Sequence, residues 1–417
     1  MAARPFFTVA LASLAFAIAL GLVAPLTKGT TLEAHDLGEA HLVVAVFGAL
    51  LPAVTGLHLH GLMVVHRRPA PEGKSQVAAI AWGLGTAVLA IAIAFADGVV
   101  RRPALALGLV TLTEAAILTM LLLLNTLPRR HRSLVDTAKD PLTKGDDACF
   151  TQARFAYVFL VPATVATVAG GPWWDWAQAQ AAHRVWLCGL HLLLAGHVLV
   201  STYSITHLWI PRLSTVPAIA AGAIKGELHT SLLGLLLMIL GFALDVRGLT
   251  IAGGGSLFLG AFTWMGVLGA NLMRNKSRTQ RVTPEFTYIP WVFTGVFWLV
   301  CGVLMGEFLN AVPDSFAAKL PALRFTHAHA ILVGGFVQIA FGMAMRLVPM
   351  HRGAPPLPFH EGKWGFYLLN VGLALLLAGN LQGAPAGALA SWGGLVLLLG
   401  VAVAFMSLAR HGRRSRS

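Results

Sequence analysis

Charge is what this chain has least of. Asp, Glu, Lys and Arg together make up 11% of 417 residues, and only 17 of those are acidic against 30 basic. With 57% hydrophobic residues and a mean hydropathy of +0.74, that poverty excludes a soluble globular protein. Cysteine is nearly absent too. Cys149, Cys188 and Cys301 are dispersed, with no CxxC and no CxxCH, which excludes a thiolate metal site and covalent c-type haem. There is no phosphate-binding glycine loop, nucleophile elbow or metalloprotease helix.

Long apolar runs fill the space that charge leaves. Twelve stretches of spanning length occur, at roughly 6–26, 41–64, 77–96, 104–126, 154–171, 185–209, 228–245, 250–273, 288–310, 328–348, 364–381 and 388–408. Backbone groups in lipid must be satisfied within the segment, so these are expected to be helices. The predicted class is therefore all-α: a polytopic membrane protein with 12 transmembrane helices, read as one domain over 1–417. Residues 127–153 have no periodic apolar face and are expected to form a hydrated cytoplasmic loop, and 409–417 a basic cytoplasmic tail. The first segment lacks a small-residue cleavage signature and is read as a retained helix.

Basic residues orient the chain. With the N-terminus inside, most Lys and Arg fall on the cytoplasmic side, leaving Lys28, Arg101, Arg102, Arg184, Arg247, Lys319 and Arg324 outside. Both termini are then cytoplasmic, and the expected location is the inner (plasma) membrane. The net charge of +13 is explained by contact with a lipid bilayer and its anionic head groups, so no nucleic-acid partner is implied.

Histidine carries the chemistry. His41, His191 and the pair His327 and His329 lie near the outer ends of helices 2, 6 and 10. A glycine follows each (Gly48, Gly196, Gly334), and Pro211 and Pro349 fall 20 residues after His191 and His329. Aligned on His41, His191 and His329, the three helices imply a pseudo-threefold repeat. The glycines suit close approach of a flat macrocycle or of another helix. Ionisable groups inside a membrane mark function, and several histidines at matching depth suggest a shared cofactor, with haem first. A deeper set, His58, His60, His207 and His229, lies roughly 25 Å further in at 1.5 Å per residue. These four form either a second metal or haem site or an interfacial group reaching water beside Arg and Lys.

Thr326-His327-Ala328-His329, followed by glycines and a proline, resembles the tenth helix of haem–copper oxidase subunit I, and Ala40-His41 resembles its second helix. That resemblance implies His41 and His329 as the two ligands of a low-spin haem b and His327 as the ligand of a second haem. It also implies an oxidoreductase, if the chain is an enzyme, that transfers electrons or binds and reduces NO or O2. The electron donor would be a cytochrome c, a cupredoxin or a quinol. Copper is a further candidate cofactor, with His191 and His197 as its ligands. However, neither histidine is followed by tyrosine four residues on, and helix 7 offers only His229, so a standard copper B centre is not expected. Glu114 and Glu307 are the candidate carboxylates for a non-haem iron, and Arg324 could pair with a haem propionate. The opening Arg4-Pro5-Phe6-Phe7 is similar to the NnrS family, haem and copper membrane proteins linked to nitric oxide stress. A different reading makes the chain a transporter whose histidines relay protons or bind a metal ion. Trp173, Trp174 and Trp176 are expected in an interfacial aromatic belt.

Overall fold

A chain with this much apolar sequence and so few turns should fold as stacked helices. A computed structural model describes residues 2–26, 34–66, 71–95, 98–127, 144–174, 180–214, 216–275, 288–312, 320–351, 357–382 and 388–414, and among these there are no strands. Twelve helices are long and apolar enough to cross a membrane. They are α1 (Arg4–Leu26), α2 (Ala34–Val43, Val44–Leu50 and Leu51–His66), α3 (Glu72–Phe95), α4 (Gly98–Thr126), α5 (Lys144–Ala169) and α6 (Gln180–His191, Leu192–Leu199 and Val200–Leu213). The remainder are α7 (Ala221–Leu244), α8 (Arg247–Arg274), α9 (Tyr288–Ala311), α10 (Leu320–His329, Ala330–Val337 and Gln338–His351), α11 (Phe359–Leu381) and α12 (Ala388–Arg414).

Two expected boundaries need correction. Helix α5 begins at Lys144, inside the segment read as a hydrated loop. Its first turn carries Asp146 and Asp147, acidic groups that suit a helix N-terminus, and Cys149, Phe150, Ala153 and Ala156 are buried along it. That apolar face was missed because polar residues interrupt it. Helix α12 likewise runs on to Arg414, into the segment read as a tail. The rest of the expected loop, 128–143, and the end of the tail, 415–417, lie outside the described residues.

The middle segments of α2, α6 and α10 are π-helical, and no other described helix contains such a stretch. The wider i→i+5 turn is rare and is found mostly at functional sites. Each π-segment starts four residues before a glycine: Val44 before Gly48, Leu192 before Gly196, Ala330 before Gly334. The glycines are pressed between neighbouring helices. A Cβ on Gly48 would meet Ser13 of α1 at 2.6 Å and Thr86 of α3 at 3.0 Å. On Gly196 it would meet Leu235 of α7 at 2.9 Å and Phe159 of α5 at 3.2 Å, and on Gly334 Trp298 of α9 at 2.7 Å and Leu373 of α11 at 2.9 Å. Close approach of a helix, one of the two reasons for glycine weighed from sequence, is found at all three.

The chain divides into two compact units, 1–209 with 220–250, and 210–219 with 251–417. In the first, Ala156, Val200 and Leu228 form a buried cluster joining α5, α6 and α7. In the second, Ala330, Leu373 and Leu377 pack with Trp298 around the start of the α10 π-segment.

The tightest pairing in the second unit is α11 with α12. Gly365, Gly372 and Gly379 recur every seventh residue and face Ala404, Leu397 and Ala390, while Gly393 and Gly400 of α12 face Leu376 and Leu369. Small residues let backbones approach closely where lipid offers no hydrophobic drive between helices. A Cβ at Gly372 would stand 2.2 Å from the Leu397 backbone nitrogen. Gly372→Leu is expected to cost about 1–3 kcal/mol through overpacking, seen as a lower thermal midpoint in detergent. Gly394→Ala, which meets nothing within 4 Å, should not lower it.

Candidate functional site

An imidazole buried among helices must place one ring nitrogen on an acceptor or lose hydrogen bonding it had in water. His41 of α2 donates from Nδ1 to the backbone carbonyl of Ala17 on α1 at 2.6 Å. His327 of α10 donates from Nδ1 to the carbonyl of Gly302 on α9 at 2.7 Å. Both bonds thus run to the helix immediately before. Both rings also lie against a glycine one turn beyond the accepting carbonyl: a Cβ on Gly21 would be 3.0 Å from the His41 ring, and one on Gly306 would be 2.6 Å from the His327 ring. With Nδ1 protonated and fixed, the neutral ring turns its Nε2 lone pair outward. Neither Nε2 has a hydrogen-bond partner among the described residues.

These contacts change the register read from sequence. His41 and His327 each sit three residues before their π-segment, while His191 and His329 each sit directly before theirs. His191 and His329 also share a different anchor, Nδ1 donating to the carbonyl four residues back, Leu187 at 2.8 Å and Phe325 at 3.0 Å. His41 therefore matches His327, and His191 matches His329. The matching position on α6 is Gly189, where a Cβ would lie 2.3 Å from the Thr167 backbone of α5. His329 stacks on Phe325 at 3.8 Å between ring centroids, and His191 tilts against Phe242.

His197 repeats the cross-helix bond at greater depth. It lies inside the α6 π-segment and donates from Nδ1 to the carbonyl of Ala156 on α5 at 3.0 Å. Its ring packs edge-on against Tyr157 at 4.8 Å, and Tyr157 in turn is hydrogen-bonded to Nδ1 of His58 at 2.9 Å. His191 and His197 therefore hold separate anchors, and among the described residues no three His, Cys, Asp or Glu side chains gather to hold a metal ion.

The four inner histidines do not gather as one group. His58 pairs with Tyr157, while His60 stacks on Trp209 at 6.1 Å. His207 is buried with Nε2 3.4 Å from Oε2 of Glu227, whereas His229 is exposed. Glu227, two residues before His229, is thus the principal acidic group beside this set. It is fully buried on α7, and Gln152 of α5 donates to its Oε1 at 3.2 Å.

The remaining polar candidates separate cleanly. Arg324 is exposed, with no hydrogen bond or ion pair among the described residues. Glu114 is exposed on α4, and Glu307 lies against Gly254 and Asn310. Trp173 and Trp174 face the protein interior and not its surface. Both are buried and donate their indole N–H to the carbonyl of Val168, at 3.1 and 2.7 Å, which satisfies an acceptor at the end of α5. Trp176 lies outside the described residues.

Tyr157 links two buried imidazoles, so its hydroxyl should matter to stability. Tyr157→Phe leaves Nδ1 of His58 without its partner and is expected to cost about 1–3 kcal/mol in thermal unfolding. Tyr367→Phe, on the exposed face of α11, should be silent. The chain matches no model of a known protein family and, at significant similarity, no curated protein.

Proposed function

We propose that the chain is a multi-pass protein of the inner membrane, with both termini in the cytoplasm, that binds haem b through its outer histidines. In this reading α1–α4, α5–α8 and α9–α12 are three versions of one four-helix unit, and it acts in electron transfer or in binding and reduction of a diatomic gas, NO or O2. The observation that carries it is the shared setting of His41 and His327: Nδ1 donated to a carbonyl of the preceding helix, ring laid over a glycine, and Nε2 turned away from its anchor.

That setting fits haem iron. A metal-bound imidazole needs its other nitrogen held by a carbonyl or carboxylate, which fixes the tautomer and makes the free nitrogen a better donor. Gly21 and Gly306 leave room for the ring to lie flat against the neighbouring backbone, which sets its rotation. His329, held to Phe325 and stacked on its ring, is the third candidate to hold the iron. Haem held by such ligands supplies one-electron chemistry and, where one axial face is open, a place for a gas. The protein's own part is to bind and orient the group and to keep water from it within a helix interior. The exposed guanidinium of Arg324, one turn before His327, suits a propionate. Copper finds no comparable setting, since His191 and His197 keep separate anchors.

An optical spectrum of purified protein in detergent tests this reading. A b-type α band should appear on dithionite reduction, and His41→Ala, His327→Ala and His329→Ala should each remove or shift part of it. A colourless, iron-free preparation would overturn it. Gly21→Leu and Gly306→Leu keep the ligands but displace the rings, so each should lower haem content at unchanged helicity. A cytoplasm-active reporter fused to the C-terminus should give signal, which checks the orientation.

A further inference from the structure

The first unit holds buried polar groups that the haem reading does not use. Nε2 of His58, Nε2 of His197, both ring nitrogens of His207 and Oε2 of Glu227 are buried without a hydrogen-bond partner among the described residues. Leaving such atoms unmet is costly in any interior and more so in lipid. Among the described residues the second unit also leaves atoms unmet, on Trp291, Glu307 and Arg346, but one of its polar groups finds partners. There, Trp298 donates to Oδ1 of Asn370 at 2.9 Å, and Asn370 exchanges hydrogen bonds with Gln338 at 2.9 and 3.3 Å, so a buried polar group closes on itself.

Several of the groups left open in the first unit are acids and bases, and His197 and His207 among them fall in sequence along α6. His191 is half-buried at its outer part, and His197 is fully buried, with His58 and Tyr157 beside it. Ser201, buried and also unmet, comes one turn on. His207 faces Glu227 roughly 15 Å beyond His197 at 1.5 Å per residue. Beside Glu227 on α7, Lys225, nearer the helix end, and His229, one step further in, are exposed.

We infer that the first unit is a proton path through the membrane, running along α6 by way of the His58–Tyr157–His197 cluster and the His207–Glu227 pair. At the inner station a proton on Nε2 of His207 passes to Oε2 of Glu227, leaving a neutral imidazole and a carboxylic acid. The pair never has to hold an isolated charge away from water. Gln152 holds the other carboxyl oxygen and so fixes which oxygen faces the imidazole. The titratable groups facing Glu227 are His207 and Tyr203 of α6. At the outer station the Tyr157 hydroxyl is hydrogen-bonded to Nδ1 of His58 of α2, and the Tyr157 ring packs edge-on against His197 of α6; these two are the titratable groups beside it. The transfers involve protons alone and need no oxidant or reductant. A metal ion does not suit the same groups, because no three of them converge.

The test uses the full chain in phosphatidylethanolamine–phosphatidylglycerol vesicles, with a potassium diffusion potential set by valinomycin and a pH-sensitive dye inside. Proton flux several-fold above protein-free vesicles is expected. Glu227→Gln and His207→Phe should cut it at least tenfold, and Glu227→Asp should keep a measurable part. Helical circular dichroism and elution volume show which variants fold, and His207→Phe carries the test alone if Glu227→Gln does not. Flux no greater than that of empty vesicles would overturn the inference. So would full flux in a folded Glu227→Gln or His207→Phe, or Glu227-dependent sodium uptake without proton flux. The haem reading fails or stands separately, on the absorbance spectrum, which Glu227→Gln should leave unaltered.

Discussion

The hydrogen bond from a histidine Nδ1 to a backbone carbonyl of the preceding helix organises both units. Lipid gives a buried imidazole no other partner, and a helical carbonyl still has a second lone pair after its own backbone bond. One such bond fixes three things at once: the tautomer, the plane of the ring and the spacing of the two helices. His41 on Ala17 ties α2 to α1, His197 on Ala156 ties α6 to α5, and His327 on Gly302 ties α10 to α9. These are the three helices that carry π-segments, and each π-segment packs on the same preceding helix.

The glycine four residues into each π-segment is the steric side of that arrangement. A wider helical turn brings backbone closer to its neighbours, and only a residue without Cβ tolerates Ser13, Phe159 or Trp298 at the distances found. Where glycine stands at the position that His41 and His327 hold relative to their π-segments, the neighbouring helix lies closer. At Gly189 the α5 backbone moves in to the space that a ring would need, and the imidazole of this pair appears deeper instead, as His197. The α5–α6 pair thus shares the π-segment, its glycine and a cross-helix imidazole bond with the other two, the bond being set further along the helix.

Much of this was legible in the sequence because lipid imposes simple rules. Twelve apolar runs became twelve membrane-capable helices, since few charges interrupt them. Helix ends were less legible: Lys144 to Ala153 reads as polar loop, yet a half-buried face continues through it. The outer histidines stood out as candidates, but aligning on histidine paired His41 with His329. Aligning on the glycines, which packing holds in place, pairs His41 with His327. A π-turn has no residue pattern of its own, so the three segments could not be foreseen, although their glycines were the available hint.

Glu227 shows why the inner site was harder still. Its partners Gln152 and His207 lie on two other helices, Gln152 being 75 residues away, and nothing local to Glu227 points to either. In sequence it stands next to His229, yet two residues along a helix is more than half a turn, and the structure turns His229 outward and Glu227 inward. The same spacing argument separates His58 from His60, one bonded to Tyr157 and the other stacked on Trp209. Neighbouring ionisable residues on a membrane helix therefore divide between interior and rim by helical phase. The member that faces inward must then be matched by a side chain from another helix, as Tyr157 matches His58 and Gln152 matches Glu227. Such matches place acids and bases at successive positions along α6, while the N-terminal parts of α2 and α10 keep histidines whose second nitrogen is turned from its anchor.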